Sequence, residues 1–561
     1  MKHQGPIAGI AARGNFVATA GYDNQIILWD AQKHRALARG NHDHLVNHCR
    51  FSHDGQWLVS ASSDYTARVW AVPSLRLHTV LREHGDDVDM AVFSHDDRRI
   101  ATCALDRCVR IFDLDGLCLQ TMRGHTGNVL SLAWSQDDRF VISSSVDGTI
   151  RQWNADSGVE VRVTDLQVRS DSVEIAPDGT VYGGDDRGRI AIIENGQLHF
   201  VHAHHAGIKN LSADFQNGIL VTLSYDRSMA IWRIGGNQRL EELSRSTLPA
   251  TVWARAATLL DDGRVATGTF GATYALFDPE TSSWDCQDVA AGSAINAVMQ
   301  LGTCAYTVGD AGKVVCNEVL TAETGSLCNF LVAAQGHVFT GGHLGQLFDA
   351  DSGALLYSHH SPLNCGVAFD RAGQACIAIG TYTGEILVFA VHAEGGVDLL
   401  AALFVYENAV KGLSYSDGVL FSVCASTDIA WHRIGDWSVI TRIAKAHERI
   451  VNGCCAIGQG KFATVGRDRT LRIWDLLAPD APQVFQSAHP NSIKCIGIND
   501  DASMILTGSY GGTLALFDLH TMQWIALQRP TSAGISSITW DRAQHRFLAA
   551  SYDGGIYSVF P

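Results

Sequence analysis

Short runs that alternate apolar with small or polar residues recur along this chain, each cut off by a polar turn. Trp57-Leu58-Val59-Ser60-Ala61-Ser62 and Ala67-Arg68-Val69-Trp70 are one such pair. Runs of this length, with β-branched and aromatic residues and a tight turn between them, predict antiparallel strands. A third strand is expected in each unit after an opening segment such as Gly124-His125-Thr126-Gly127-Asn128-Val129 and before a turn such as Ser52-His53-Asp54-Gly55. The linker after each Trp can supply a fourth.

The pattern repeats in Val17–Asp23 leading to Trp29-Asp30, in Leu58 to Trp70, in Ile100 to Phe112-Asp113 and in Val141 to Trp153. The aspartates at 23, 64, 106 and 147 give steps of 41, 42 and 41. That period is too long for one hairpin and fits one four-stranded propeller blade. Four positions recur in register: His125, Ser143, Asp147 and Trp153 in one unit, and His447, Thr464, Asp468 and Trp474 in another. On these residues the chain resembles the WD-repeat β-propeller family, whose hydrogen-bonded His, Ser/Thr, Asp, Trp tetrad they match. The resemblance implies that these eight residues are structural. In a third copy, His84, Thr102 and Asp106 match but Phe112 replaces Trp.

Weaker copies are expected near Asp186, Asp226 with Trp232, Gly271 with Phe277, Asp310, His343 with Phe348, Thr383 with Phe389 and Thr427 with Trp431. Clearer ones follow at Asp468, Gly511 with Phe517, and Asp553 with Phe560, making fourteen. Propellers usually carry about four to eight blades. The predicted fold is therefore all-β: two tandem seven-bladed propellers of fourteen four-stranded blades, residues 1–280 and 281–561, similar in architecture to the double-propeller, actin-interacting WD-repeat proteins. Architecture alone carries no actin function. The family commonly completes its last blade with an N-terminal strand. Here the last blade has three strands, or Met1–Pro6 crosses over to complete it; both alternatives stand.

Hydrophobic residues are 46% and charged residues 18% of the 561, a globular rather than disordered balance. A net charge of -16 opposes binding to a phosphate backbone, so nucleic acid is not an expected partner. Met1–Ala20 carries Arg13 and polar residues where a signal peptide needs a continuous apolar stretch, which leads to a cytoplasmic expectation. The uncharged stretch Val289–Gly309 contains Ser293, Asn296, Gln300 and Thr303, is broken by Gly292 and Gly302, and is read as two strands and a turn rather than a membrane span. Fourteen cysteines without a CxxC pair indicate reduced thiols.

Catalytic and metal motifs are weak. His42, His44, His48 and His53 form the densest histidine cluster, and His202, His204 and His205 a second. Both coincide with the tetrad position, so no metal and no cofactor are expected. Ala311-Gly312-Lys313-Val314 lacks the first glycine of a phosphate loop and its Ser/Thr. No nucleophile elbow is present. The remaining signal is the residue before the tetrad Asp or its replacement, which in the family lies on the top face beside the channel. Aromatics recur there: Tyr22, Tyr225, Phe270, Tyr382, Tyr510 and Tyr552. Tyrosine is an amphipathic anchor enriched at binding hot spots. The expected function is a non-catalytic scaffold or adaptor that binds proteins or peptides there within a multiprotein complex. The alternative is a propeller-type hydrolase or a small-ligand sensor with a channel site.

Overall fold

The computed structural model describes residues 1–236, 239–287, 289 and 294–561. The chain divides into two compact units, Met1–Ala291 and Gly292–Pro561. The described residues of the first unit form seven four-stranded antiparallel sheets, each built from consecutive strands. In the first of these blades the strands are Ile7–Arg13, Phe16–Gly21, Gln25–Asp30 and Arg35–Asn41, running outward from the innermost. Burial falls outward across a blade: the second strand Val181–Asp185 of one blade is buried throughout, whereas the outermost strand Glu160–Asp165 of the blade before it is almost wholly exposed. The seventh sheet ends with Ser283–Asp285, so the first ring runs beyond the boundary at 280 expected from the sequence.

Sheets pack face to face around each ring. Ile111 and Met122 of the third blade, for example, meet Leu132, Val141 and Trp153 of the fourth. Phe112 is 0% exposed, and burying such a side chain contributes roughly 1.5–3 kcal/mol. Ile10, Val17 and Trp29 of the first blade pack on Ala266, Tyr274 and Leu276 of the seventh and close the first ring. His3 N donates to the Ala272 carbonyl (3.0 Å) across the same junction.

The second unit also has seven sheets, but the last consists of three strands: Ile535–Asp541, Arg546–Ser551 and Ile556–Val559. Thirteen described blades are thus four-stranded and the fourteenth three-stranded. Met1–Pro6 does not complete it, because this segment is engaged in the first ring, where the Pro6 carbonyl accepts from Tyr22 N. Ser536 Oγ on the Ile295 carbonyl (2.5 Å), with Val298 packed on Leu548 and Ala550, closes the second ring. Within 289–309 lie the strands Ile295–Leu301 and Cys304–Gly309; residues 290–293 of that stretch fall outside the described residues.

A β-bulge sits one residue into most inner strands, for example between Val46 and His48. It frees a side chain to reach the next blade. Asn47 Nδ2 donates to the Val88 carbonyl (3.0 Å), Asn296 to Cys328 (3.0 Å), Asn329 to Leu363 (2.8 Å), Asn364 to Val410 (2.5 Å) and Asn452 to Ile493 (2.6 Å). Each acceptor opens the neighbouring inner strand, so these amides staple blade to blade.

Candidate functional site

The polar signature residues brace their own blades. Trp153 Nε1 donates to Ser143 Oγ (2.8 Å), His125 Nε2 lies 2.8 Å from the same hydroxyl, and His125 Nδ1 lies 2.8 Å from Asp147 Oδ2. Asp147 also accepts from Thr126 N and Thr149 N, both at 2.9 Å. The same constellation joins His447, Thr464, Asp468 and Trp474. It recurs with His3, Thr19, Asp23 and Trp29, with His42, Ser60, Asp64 and Trp70, and with His204, Thr222, Asp226 and Trp232. Burial opposes ionisation of Asp468, but hydrogen bonds from His447 and Thr470 outweigh it and hold its carboxyl down to about 2. Each carboxylate thus ties its own turn to the loop that carries the imidazole.

The six candidate aromatics share one backbone position. The amide of Tyr22 bonds the Pro6 carbonyl, that of Tyr225 bonds Gly207, and that of Phe270 bonds Thr251. Tyr382, Tyr510 and Tyr552 do the same on Pro362, Ser492 and Gly534. All six are half-buried. Asp186 and Asp310 occupy this position too, bonding Arg169 and Ala294, one residue before the place the sequence pattern assigned them. In the fifth blade Asp185, not Asp186, braces the turn, accepting from the amides of Arg187 and Arg189.

At the mouth of the first ring Trp253 lies between two of these residues, 5.3 Å from Tyr22 and 5.5 Å from Phe270. Arg255 lies 5.9 Å from the Tyr22 ring and 5.5 Å from Trp253, and Lys209 is 4.8 Å from Tyr225. The cations here are matched by anions. Lys209 reaches Asp171 (2.7 Å) and Asp186, Arg169 reaches Asp171 (2.5 Å), Arg50 reaches Glu174 (3.6 Å) and Arg255 reaches Asp89 (4.0 Å).

The second mouth differs. Lys411 and Lys494 replace the stapling asparagine in the eleventh and thirteenth blades. Lys411 lies 5.5 Å from the Tyr382 ring; Lys494 and Arg467 lie 6.0 and 5.8 Å from Tyr510. Among the described residues neither lysine makes an ion pair. Burial, reinforced by Lys494 and Arg467, pushes Lys411 down to about 7. Across the mouth, burial pushes Asp310 up to about 7 although Asn296 donates to it at 2.9 Å.

Comparison with known proteins accounts for the recurring tetrads. A family model for the WD domain, G-beta repeat, matches residues 2–30, 36–71, 75–113, 116–154, 426–475 and 481–518. The chain belongs to the WD-repeat family. It is 27% identical over 162 residues to transducin beta-like protein 3 of Bos taurus, covering 28% of this chain and 20% of that one. It is 30% identical over 131 residues to the serine-threonine kinase receptor-associated protein of Gallus gallus, 23% of this chain and 37% of that protein. With WD repeat and HMG-box DNA-binding protein 1 of Mus musculus the match is 30% over 142 residues, 25% of this chain and 12% of the relative. The chain thus spans well under half the length of each.

Several tetrad positions carry residues that the repeat pattern alone does not mark. His3 supplies the first blade's imidazole. Of the two histidine clusters, His42 and His204 enter tetrads, while His53 lies exposed beside Asp97 (3.1 Å). In the eleventh blade His432, not Trp431, stands at the Trp position, 2.8 Å from Ser422 Oγ, with the Tyr406 hydroxyl 2.7 Å from the same oxygen. In the fourteenth, Val559 pairs opposite Phe547 at that position and Phe560 is 66% exposed. Among the described residues one group has metal-ligand character: His359, His360 and Glu385 in the tenth blade.

Proposed function

We propose that this WD-repeat protein is a non-catalytic scaffold that takes partner polypeptide at the mouths of its rings, the second mouth receiving an acidic segment. The observation that carries the reading is the pair Lys411 and Lys494. Four blades of the second ring use asparagine at this bulge for an inter-blade hydrogen bond, worth about 0.5–1.5 kcal/mol. Two blades forgo it and place lysine side chains beside Tyr382 and Tyr510 instead, and a carboxylate arriving there favours the charged form of Lys411, which burial otherwise holds down to about 7. Clustered cations flanked by aromatic rings suit carboxylates presented on a peptide.

The first mouth, with its charges paired and the Tyr22, Trp253, Phe270 surface between them, suits an apolar or aromatic segment. The non-catalytic reading is supported by the tetrads, which engage the recurrent Asp and His residues in bracing their own blades. The net charge of -16 supports a protein rather than nucleic-acid partner. DNA binding in the name of the mouse relative belongs to a protein of which the matched stretch is 12%. No helix among the described residues is long and apolar enough to cross a membrane. A cytosolic setting is supported by the fourteen free cysteines.

The test is affinity capture from native extract with the full chain and with the Lys411→Asn, Lys494→Asn double variant. The reading requires a partner held by the parent and lost by a variant of equal or higher Tm. Undiminished capture by that variant contradicts it.

A further inference from the structure

The tenth blade departs from the repeat in a way that the scaffold reading does not use. His359 stands four residues before the inner strand Leu363–Arg371, as His125 does before Val129–Trp134. In the complete tetrads this imidazole meets a Ser/Thr hydroxyl that also accepts from Trp. Here Ile379 (0% exposed) fills the hydroxyl position and Phe389 (1% exposed) the Trp position, so the blade's interior offers His359 no polar partner. Thr383 replaces the Asp. The carboxylate comes instead from Glu385, two residues further on, at the start of the strand Glu385–Val391.

His359 Nε2 lies 3.3 Å from Glu385 Oε2, and His360 Nε2 lies 3.8 Å from the same oxygen. The two imidazole centroids are 4.1 Å apart. One ligand atom from each side chain lies within 4.8 Å of the other two. Zinc bonds nitrogen and oxygen at about 2.0–2.2 Å in tetrahedral geometry, which sets neighbouring ligand atoms about 3.3 Å apart. The His359–Glu385 edge already has that length, and the His360–Glu385 edge, at 3.8 Å, exceeds it by about 0.5 Å.

The surroundings orient the ligands. Thr383 Oγ1 donates to Glu385 Oε2 (3.0 Å), and the Ser361 backbone fixes the His359 ring, its amide lying 3.2 Å and its carbonyl 3.3 Å from Nδ1, so that Nε2 is the ring nitrogen facing Glu385. The side chains of His359 and Glu385 are 7% and 20% exposed, whereas that of His360 is 53% exposed. An ion there lies at the protein surface with its remaining position toward solvent.

We propose that His359, His360 and Glu385 form a transition-metal site that takes zinc(II), with two imidazoles and one carboxylate as ligands and one position open to an external donor. Two imidazoles with a single carboxylate favour zinc over magnesium or calcium, which prefer all-oxygen sets. The ion ties the loop before the inner strand to the turn before the third strand, replacing with metal bonds the link that the absent tetrad provides elsewhere.

The test uses the full chain, stripped with chelator and kept reduced, titrated with Zn²⁺ against a chromogenic chelator and with Co²⁺ by visible absorption. Comparison proteins are His360→Gln, which alters an exposed side chain, and Glu385→Gln; far-UV circular dichroism and metal-free Tm check that both fold. The expected result is that each variant loses one zinc equivalent, or binds it at least about tenfold more weakly. The Co²⁺ spectrum assigned to that equivalent should show ligand-field bands without the thiolate charge-transfer band of cysteine sites. Zinc should raise the Tm of the parent more than that of either variant. Equal stoichiometry and affinity in all three proteins overturns the proposal, as does a lost equivalent bearing thiolate absorption. Partner capture plays no part in this readout, so the site stands or falls apart from the scaffold reading.

Discussion

His3 Nδ1 lies 3.0 Å from Asp23 Oδ1, so a residue ahead of the first strand completes the first blade's tetrad. His3 Nε2 is 2.8 Å from Thr19 Oγ1, and its backbone amide holds the Ala272 carbonyl of the seventh blade. This one residue braces a blade and latches the ring junction. His3→Ala should lower stability by about 1–3 kcal/mol by leaving buried partners unsatisfied. Thermal or urea unfolding checks the loss, and hydrogen exchange should place it in the first and seventh blades.

Asp147→Ala and Asp468→Ala should each cost a few kcal/mol, since each removal strips an imidazole, a Thr hydroxyl and backbone amides of their acceptor. Limited proteolysis of these variants should cut first within the affected blade. A loss below about 0.5 kcal/mol, the surface-substitution range, would contradict the bracing role.

Stability should fall in two steps on acidification. Burial holds His432 and His489 at about 4 and His48 at about 3, so all three are neutral in the fold but protonate near 6.5 when unfolded. Their contribution is complete above pH 6.5 and is lost as the pH falls toward 4, on the order of 3 kcal/mol for His489. Asp468, held at about 2, contributes above its unfolded value near 4 and is lost between 4 and 2. Urea midpoints against pH should show both steps, and His489→Gln should flatten the upper one.

At the second mouth, Lys411→Asn should raise stability by about 0.5–1.5 kcal/mol by restoring a staple to the next blade, and Asn452→Lys should lower it by a similar amount. Denaturant midpoints of the two variants should move in opposite directions.

At the first mouth, changing Tyr22, Tyr225 and Phe270 together to Ala should abolish capture of any partner held there while leaving Tm nearly unchanged. All three rings are half-buried, and Tyr225 also packs against the hydrophobic cluster of the sixth and seventh blades, so what loss of Tm occurs should be reproduced by Tyr225→Ala alone. Capture assays on the triple variant read this directly.

Local signals made the blades legible. Strand alternation, the turn aspartate and the buried Trp all lie within ten residues of one another, as Ser143, Asp147 and Trp153 do. Elements defined across the ring were not legible. Trp253, Lys411 and Lys494 acquire meaning only through the bulge that turns them toward the mouth, and no local pattern marks that bulge. At Asp186 and Asp310 the repeat pattern runs one residue out of step with the structure, because their blades lack the tetrad Asp that sets the register. Glu385 lies 25 residues beyond His360, in a turn where Thr383 takes the expected carboxylate's place, so the cluster emerges only from the folded blade.

The most direct measurement is site-specific photo-crosslinking from position 510, with a photoreactive phenylalanine analogue in place of Tyr510 in the full chain and the crosslinked peptide sequenced by mass spectrometry. The account predicts crosslinks to an Asp- and Glu-rich segment of another protein that vanish when Lys411 and Lys494 are both changed to Asn. Crosslinks that persist without those lysines, or that fall on basic segments, would contradict it.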